Sequence, residues 1–252
     1  MAFIFFNLID LKSRSKNCLF AKIEKPEAID DIDAIVKETD AIMVARGDLG
    51  IEVPYQDVPL LQKMMVKKCL KASKPIIVAT QMMESMIDGI TPSRAEVNDV
   101  ANAVMDGADA VMLSGETSVG VHPGLVIETM SNIIKKVEEY DDIYNHDYLP
   151  AFREERFVSD NICTSAVNLA ESVNAKAIVT MTVSGYTACK ISSQRPRAIT
   201  FVYTSNKKIL NMLNLVWGVQ AYYYDNSHLV DENIDDIEKS LKEKGFIKEG
   251  DY

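Results

Sequence analysis

Four successive apolar runs of this 252-residue sequence end in residues able to do chemistry: Lys22 and Glu24, then Asp48, then Thr80, then Ser114 and Glu116. Glu24 and Asp48 could provide two oxygen ligands for Mg2+, which would leave its other positions to water and substrate. Lys22 and Glu24 are two residues apart, so on a strand their side chains leave from the same face. A lysine ammonium beside a divalent cation suits a developing enolate or a transferring phosphoryl group. Gly47, between Arg46 and Asp48, has no side chain to keep a substrate from the backbone amides. The plainer alternative is that Lys22–Glu24 and Arg46–Asp48 are ordinary strand-end ion pairs, and spacing leaves both readings open for each pair taken singly.

These residues need parallel strands to bring them together. The runs 19–24, 41–48, 75–81 and 110–116 are short and nearly continuous in apolar residues, as strands buried on both faces are. Helical periodicity fills the gaps, through Ala28, Ile32, Ile35 and Val36, then Leu61, Met64, Met65 and Leu70, then Val97, Val100, Ala101 and Val104. Gly107 sits where a left-handed helix cap is expected. Strand and helix in alternation imply right-handed crossovers and a parallel α/β fold. In a (β/α) barrel the C-terminal strand ends share one rim, which holds the active site. A helix from Leu125 to about Tyr140 follows, and the polar, aromatic stretch 141–156 reads as a linker. A second α/β unit is predicted beyond it, with strands over 177–183, 198–204 and 219–225. Its helices are expected over 162–173, from Ser184, over 207–215 and over 234–244.

Composition narrows the function. A net charge of -10 without a basic stripe argues against nucleic acid as a partner. The four cysteines are scattered without a CxxC pair and the three histidines are scattered too, which argues against zinc and fits a reducing cytoplasm. Met1–Leu11 is apolar but too short to span a bilayer, and its positive charges follow it, unlike those of a secretory signal; it reads as a helix end. Met64, Met65, Met82, Met83 and Met86 read as core filling, Tyr222–Tyr224 as part of a strand, and Ser93 with Glu96 as a capping box. His122, His146 and His228 fall outside every motif.

The segments AKIEKPEAI, IMVARGDLGIEVP, KPIIVATQMMESM, TPSRAEVNDVANAVMDGADAVMLSGET and RPRAI resemble pyruvate kinase, from about Asn7 to the C-terminus. The resemblance implies a glycolytic transferase that passes phosphate from phosphoenolpyruvate to ADP, giving pyruvate and ATP. It makes Glu24 and Asp48 the ligands of Mg2+, or of Mn2+ in its place. Lys22 becomes the catalytic residue that stabilises the transferring phosphoryl group and the enolate. Gly47, Asp48 and Thr80 become substrate contacts, with Thr80 also catalytic, near the carbon that is protonated. Thr182, Ser184, Gly185 and Thr187, in TVSGYT, become an allosteric phosphate loop for a sugar-phosphate activator. Hydroxyls and a glycine at a helix mouth suit an anion, but a plain Ser/Gly cap explains them equally well. A cytoplasmic homo-oligomer with no membrane partner is implied as well.

The resemblance gives the expected fold as a partial (β/α)8 TIM barrel, its last four βα units, over residues 1–140. A three-layer α/β regulatory domain is expected over 141–252, truncated at its end. The first barrel half, the lid domain and the ligands of the expected K+ are absent from this chain, so little or no activity is expected of it alone. Two alternatives stand beside this reading. One is a non-catalytic assembly or regulatory fragment; the other is a magnesium-dependent barrel lyase or aldolase acting on pyruvate enolates, in which TVSGYT and RPRAI have no place.

Overall fold

Apolar runs become strands where both faces find cover, and the computed structural model of the chain follows that rule in two separate parallel sheets. It describes residues 18–144, 155–224 and 230–251. The chain divides into one unit ending at Ile143 and a second beginning at Tyr144. The predicted N-terminal helix end, much of the predicted linker, and His146 and His228 lie outside the described residues.

In the first unit, β1 (Phe20–Ile23), β2 (Ala41–Ala45), β3 (Ile76–Ala79) and β4 (Ala110–Met112) form one parallel sheet in sequence order. The register sets Ile23 beside Val44, Val44 beside Val78 and Ala79 beside Met112. Ile42, Val44, Ile76 and Val78 are fully buried, as central strands of a covered parallel sheet must be. The crossovers are α1 (Pro26–Asp30) with α2 (Ile32–Glu38), α3 (Arg46–Glu52) with α4 (Val58–Lys71), and α5 (Arg94–Met105). Beyond β4 come α6 (Gly115–Ser118) and α7 (Pro123–Val137).

The sequence predicts this parallel α/β arrangement, but not two details that matter for the site. The stretch expected to end the second strand is helix α3 from Arg46 onward, despite two glycines that cost roughly 1 kcal/mol each in a helix. Full burial of Leu49, whose carbonyl also accepts the Val53 N–H at 3.0 Å, offsets that cost. The end of the fourth run is likewise helix α6. Arg46, Gly47, Asp48 and Glu116 therefore stand in first helical turns rather than on strands. Gly107 has φ +98° as expected of a cap, a backbone conformation in which any residue with a side chain is strained. Met65, Met82, Met83 and Met86 are completely buried, in keeping with core filling.

In the second unit the order is α8 (Phe157–Ser172), β5 (Ala177–Met181), α9 (Tyr186–Ser193), β6 (Ile199–Thr204), α10 (Lys207–Leu213), β7 (Val219–Tyr223) and α11 (Val230–Glu243). The three strands are parallel in sequence order. Cys163, Val167, Ile178 and Ile191 form one core cluster, and Phe201, Tyr203, Ile237 and Leu241 another. Tyr222 stacks on Tyr203 with ring centroids 5.5 Å apart, consistent with a strand residue. None of the four cysteines forms a disulfide. Among the described residues no helix is long and apolar enough to cross a membrane.

Candidate active site

The ends of β1 and β2 bring Lys22, Glu24 and Asp48 together. Lys22 is the third residue of β1, Glu24 follows the strand, and Asp48 is the third residue of α3. The Lys22 ammonium donates to Asp48 Oδ2 at 2.9 Å and pairs with the Glu24 carboxylate, so one nitrogen bridges two acids. Lys22 and Asp48 keep about half of their side-chain surface exposed, at 51% and 53%, so the group faces solvent. The Glu24 and then the Asp48 hydrogen bonds push the Lys22 ammonium above its ordinary value. The same Lys22 bond holds the Asp48 carboxyl below its ordinary value. At neutral pH the site thus carries a fixed cation rather than a base.

Two acids converging on one cationic nitrogen are a donor set that fits a small hard cation. Mg2+ commonly takes one or two carboxylates and completes its shell with water and phosphate oxygens. Among the described residues no group of three or more His, Cys, Asp or Glu side chains gathers as a metal site.

Of the two ion pairs in the plainer alternative, Lys22–Glu24 forms and Arg46–Asp48 does not. Arg46 is 8% exposed and turns the other way, its Nη1 donating to Asp99 Oδ1 at 2.6 Å. Its Nη2 donates to the Thr80 carbonyl at 2.6 Å and to that of Gln81 at 3.3 Å, while Nε reaches the Ala79 carbonyl at 3.4 Å. One guanidinium thus collects three consecutive carbonyls at the end of β3, which its planar fork allows and an ammonium does not.

Those carbonyls belong to a strained turn. Thr80 has φ +66° and Gln81 φ +54°, left-handed values that are unfavourable for a β-branched residue. Such conformations cost about 1–3 kcal/mol each, comparable to the roughly 1.5–3 kcal/mol of a hydrogen bond to a charged group. Thr80 Oγ1 accepts the Gly47 N–H at 2.8 Å and donates to the Ala79 carbonyl at 2.6 Å. A Cβ on Gly47 would meet Thr80 Oγ1 at 3.4 Å, an ordinary contact.

At the end of β4, Glu116 does not join the exposed group. It is 2% exposed, and its two oxygens accept the N–H of Met83 at 3.1 Å and of Ser114 at 2.7 Å. Glu96 acts similarly one loop away. It completes the predicted capping box with Ser93, and it also accepts the Ser85 N–H at 2.7 Å and the Ser85 hydroxyl. The sequence offered no sign that Arg46 and Glu116 hold backbone or that Asp99 anchors Arg46, which lies 53 positions away from it.

In the second unit, Gly185 caps α9 with φ +82°. Its N–H donates to Thr182 Oγ1 at 3.0 Å and that of Tyr186 to Ser184 Oγ at 3.4 Å, while Thr180 and Thr187 hydroxyls meet at 3.4 Å. These bonds are what a hydroxyl-capped turn makes by itself. Behind it, Asp160 accepts the Tyr186 hydroxyl at 2.6 Å and faces Lys190 Nζ at 3.7 Å, both acid and ammonium being buried. Arg156 lies 3.9 Å over the Tyr186 ring.

Comparison with known proteins identifies the family of the chain. Residues 8–127 match the family model for the pyruvate kinase barrel domain, and 160–252 that for the pyruvate kinase alpha/beta domain. The pyruvate kinase of Lactobacillus delbrueckii subsp. bulgaricus is 43% identical over 92% of this chain and 40% of its own length. That of Clostridium acetobutylicum is 42% identical over 92% of this chain and 49% of its own length. A crystal structure of a pyruvate kinase from Cryptosporidium parvum superposes with a TM-score of 0.86 at 40% identity, covering 93% of this chain and 48% of that one. The chain thus spans about half the length of the relatives it matches, and the matches to both domains place it in the pyruvate kinase family.

Proposed function

We propose that this chain carries the lysine- and metal-bearing part of a pyruvate kinase site, which transfers phosphate from phosphoenolpyruvate to ADP in glycolysis, giving pyruvate and ATP. The observation that carries the reading is the single Lys22 ammonium bridging Glu24 and Asp48 at the mouth of a parallel sheet. The four-stranded sheet is read as the last four βα units of a (β/α)8 barrel, because its strands are consecutive and its polar groups gather at one end. The second unit is read as the regulatory domain, with the boundary near residue 140.

Glu24 and Asp48 would hold Mg2+ or Mn2+, and Lys22 would stand beside it as a second positive charge. A divalent cation there supplies neutralisation of the enolate and of the phosphoryl oxygens, with water and substrate completing its shell. Lys22 keeps its proton and stabilises the same developing charge electrostatically, the kind of help phosphoryl transfer draws on most. Gly47, Asp48 and Thr80 are read as the contacts to the three-carbon substrate, for which the Gly47 N–H would exchange its bond to Thr80 Oγ1 and the Thr80 hydroxyl its bond to the Ala79 carbonyl. K+, a sugar-phosphate activator at Thr182–Thr187, homo-oligomeric assembly and a cytoplasmic location belong to the same reading by family.

Mn2+ titration of the full chain, followed by electron paramagnetic resonance, tests the reading without requiring turnover. The expected result is a single tight site whose affinity falls about tenfold or more in the Glu24→Gln/Asp48→Asn double variant. Binding that is absent, or unchanged in the double variant, overturns it.

A further inference from the structure

Arg46 lies one residue from Gly47 and two from Asp48, yet it touches neither the exposed lysine nor the two acids. Its guanidinium is buried against the backbone of the neighbouring strand end, where it contacts the carbonyls of Ala79, Thr80 and Gln81. Its Nη1 is anchored by Asp99 of α5 at 2.6 Å, with a longer contact to Gln62 Oε1 at 3.4 Å from α4. Three helices and two strand ends therefore meet at one side chain. The residues whose carbonyls it gathers include the two with left-handed backbone, and neither is glycine. Left-handed conformations in non-glycine residues persist only where surrounding contacts over-determine them.

We propose that Arg46 is a positioning residue, anchored by Asp99, which holds Thr80 and Gln81 in their left-handed turn and so fixes the Thr80 hydroxyl against the Gly47 N–H. The role rests on reading Thr80 and Gly47 as groups of the site. Its physical content is a division of labour within the motif ARGD: Asp48 accepts from the Lys22 ammonium, Gly47 bonds its amide to Thr80, and Arg46 holds the turn that carries Thr80. A lysine at position 46 keeps the charge and the bond to Asp99 but cannot reach three carbonyls at once. A glycine at position 81 adopts φ +54° without steric cost, and so needs the clamp less.

Amide hydrogen exchange on the full chain reads this directly, because the Gly47 N–H is bonded to the hydroxyl that the clamp positions. Arg46→Lys is expected to speed Gly47 exchange about tenfold or more while the amides of β2 and β3 stay protected. Asp99→Asn, a milder change, should move Gly47 in the same direction by less. Adding Gln81→Gly to Arg46→Lys should return Gly47 exchange toward the original rate, a coupling that general destabilisation does not produce. Unchanged Gly47 exchange in Arg46→Lys overturns the proposal, as does acceleration shared equally by the strands or absence of rescue by Gln81→Gly. Mn2+ binding measured on the same samples separates the two readings. Loss of Mn2+ binding from the unaltered chain would sink the metal site and leave the exchange result standing.

Discussion

The two units use the same architecture, a parallel sheet with helical crossovers, and differ in what secures the loops at their strand ends. In the first unit, buried or half-buried charges are spent on backbone. Arg46 takes three carbonyls, Glu116 takes two amides, and Glu96 takes the amides of Ser85 and Ser93. Loops at the strand ends are thereby fixed from behind, and Lys22, Glu24 and Asp48 are left facing solvent with only one another as partners. In the second unit the loop after β5 is capped by hydroxyls, and the charges are buried between helices as the Asp160–Lys190 pair. A strand end becomes a candidate for catalysis when its scaffold holds the loops without consuming the exposed charges. The first unit meets that condition, whereas behind the loop after β5 the second unit pairs Asp160 with Lys190 in its interior.

The largest effect should come from breaking the charge pair of the second unit. Removing one partner from a buried ion pair leaves the other uncompensated and costs about 3–5 kcal/mol. Asp160→Ala does this to Lys190, and it also strips the Tyr186 hydroxyl of its acceptor. Trp217 is the sole tryptophan and lies in this unit, so urea unfolding followed by its fluorescence reports the loss locally. Asp160→Leu combined with Lys190→Met should recover most of it, since apolar replacements of such pairs are often neutral. A loss below about 1 kcal/mol for Asp160→Ala would make the pair equivalent to a surface one and remove the contrast between the units.

A smaller effect is expected at Glu116 in the first unit. Glutamine keeps one acceptor oxygen and turns an NH2 toward a backbone N–H, leaving one buried donor unsatisfied. The cost should be about 1–3 kcal/mol, concentrated in the loop after β3. It is measured as faster hydrogen exchange at Met83 and Ser114 in Glu116→Gln, with Trp217 fluorescence unfolding unmoved. An equal shift in both reporters would show that the units do not partition their charges as described.

The contrast was only half legible in the sequence. Apolar runs at 41–45 and 76–79 announce buried parallel strands because full burial on both faces leaves no polar alternation. Lys22 and Glu24 were legible through their two-residue spacing, and Gly107 through its place after a helix. Helix α3 was hidden by Gly47 and Gly50, which tertiary packing of Leu49 overrides. The left-handed turn at Thr80 was hidden for the opposite reason, since a threonine followed by a glutamine carries no glycine signal. The Arg46–Asp99 anchor joins residues far apart in sequence, and its separation leaves no periodic trace. Asp48, read as a strand end, reaches Lys22 from a helix instead, so the pairing of the acids survived an incorrect account of what carries one of them.

The smallest effect concerns pH and the Glu96 clasp. Burial acts to raise the Glu96 carboxyl, but the bonds from the Ser85 hydroxyl and N–H and from the Ser93 N–H outweigh it and hold the group below its ordinary value. A folded value lower than the unfolded one means that folding favours the charged form. The clasp therefore contributes fully above the unfolded value of about 4.3, and its contribution fades as pH falls through the depressed folded value. Glu96→Gln removes the titrating group, so the urea midpoints of the two proteins should differ most near neutrality and converge in acid. The gap should be about 1 kcal/mol or less, as for other helix caps, and confined to reporters of the first unit such as the Ser85 amide. A gap that does not narrow at all as pH falls below the unfolded value of about 4.3 would assign the stabilisation to the shape of the side chain rather than its charge. It would also weaken the claim that the first unit holds its strand-end loops by ionised groups.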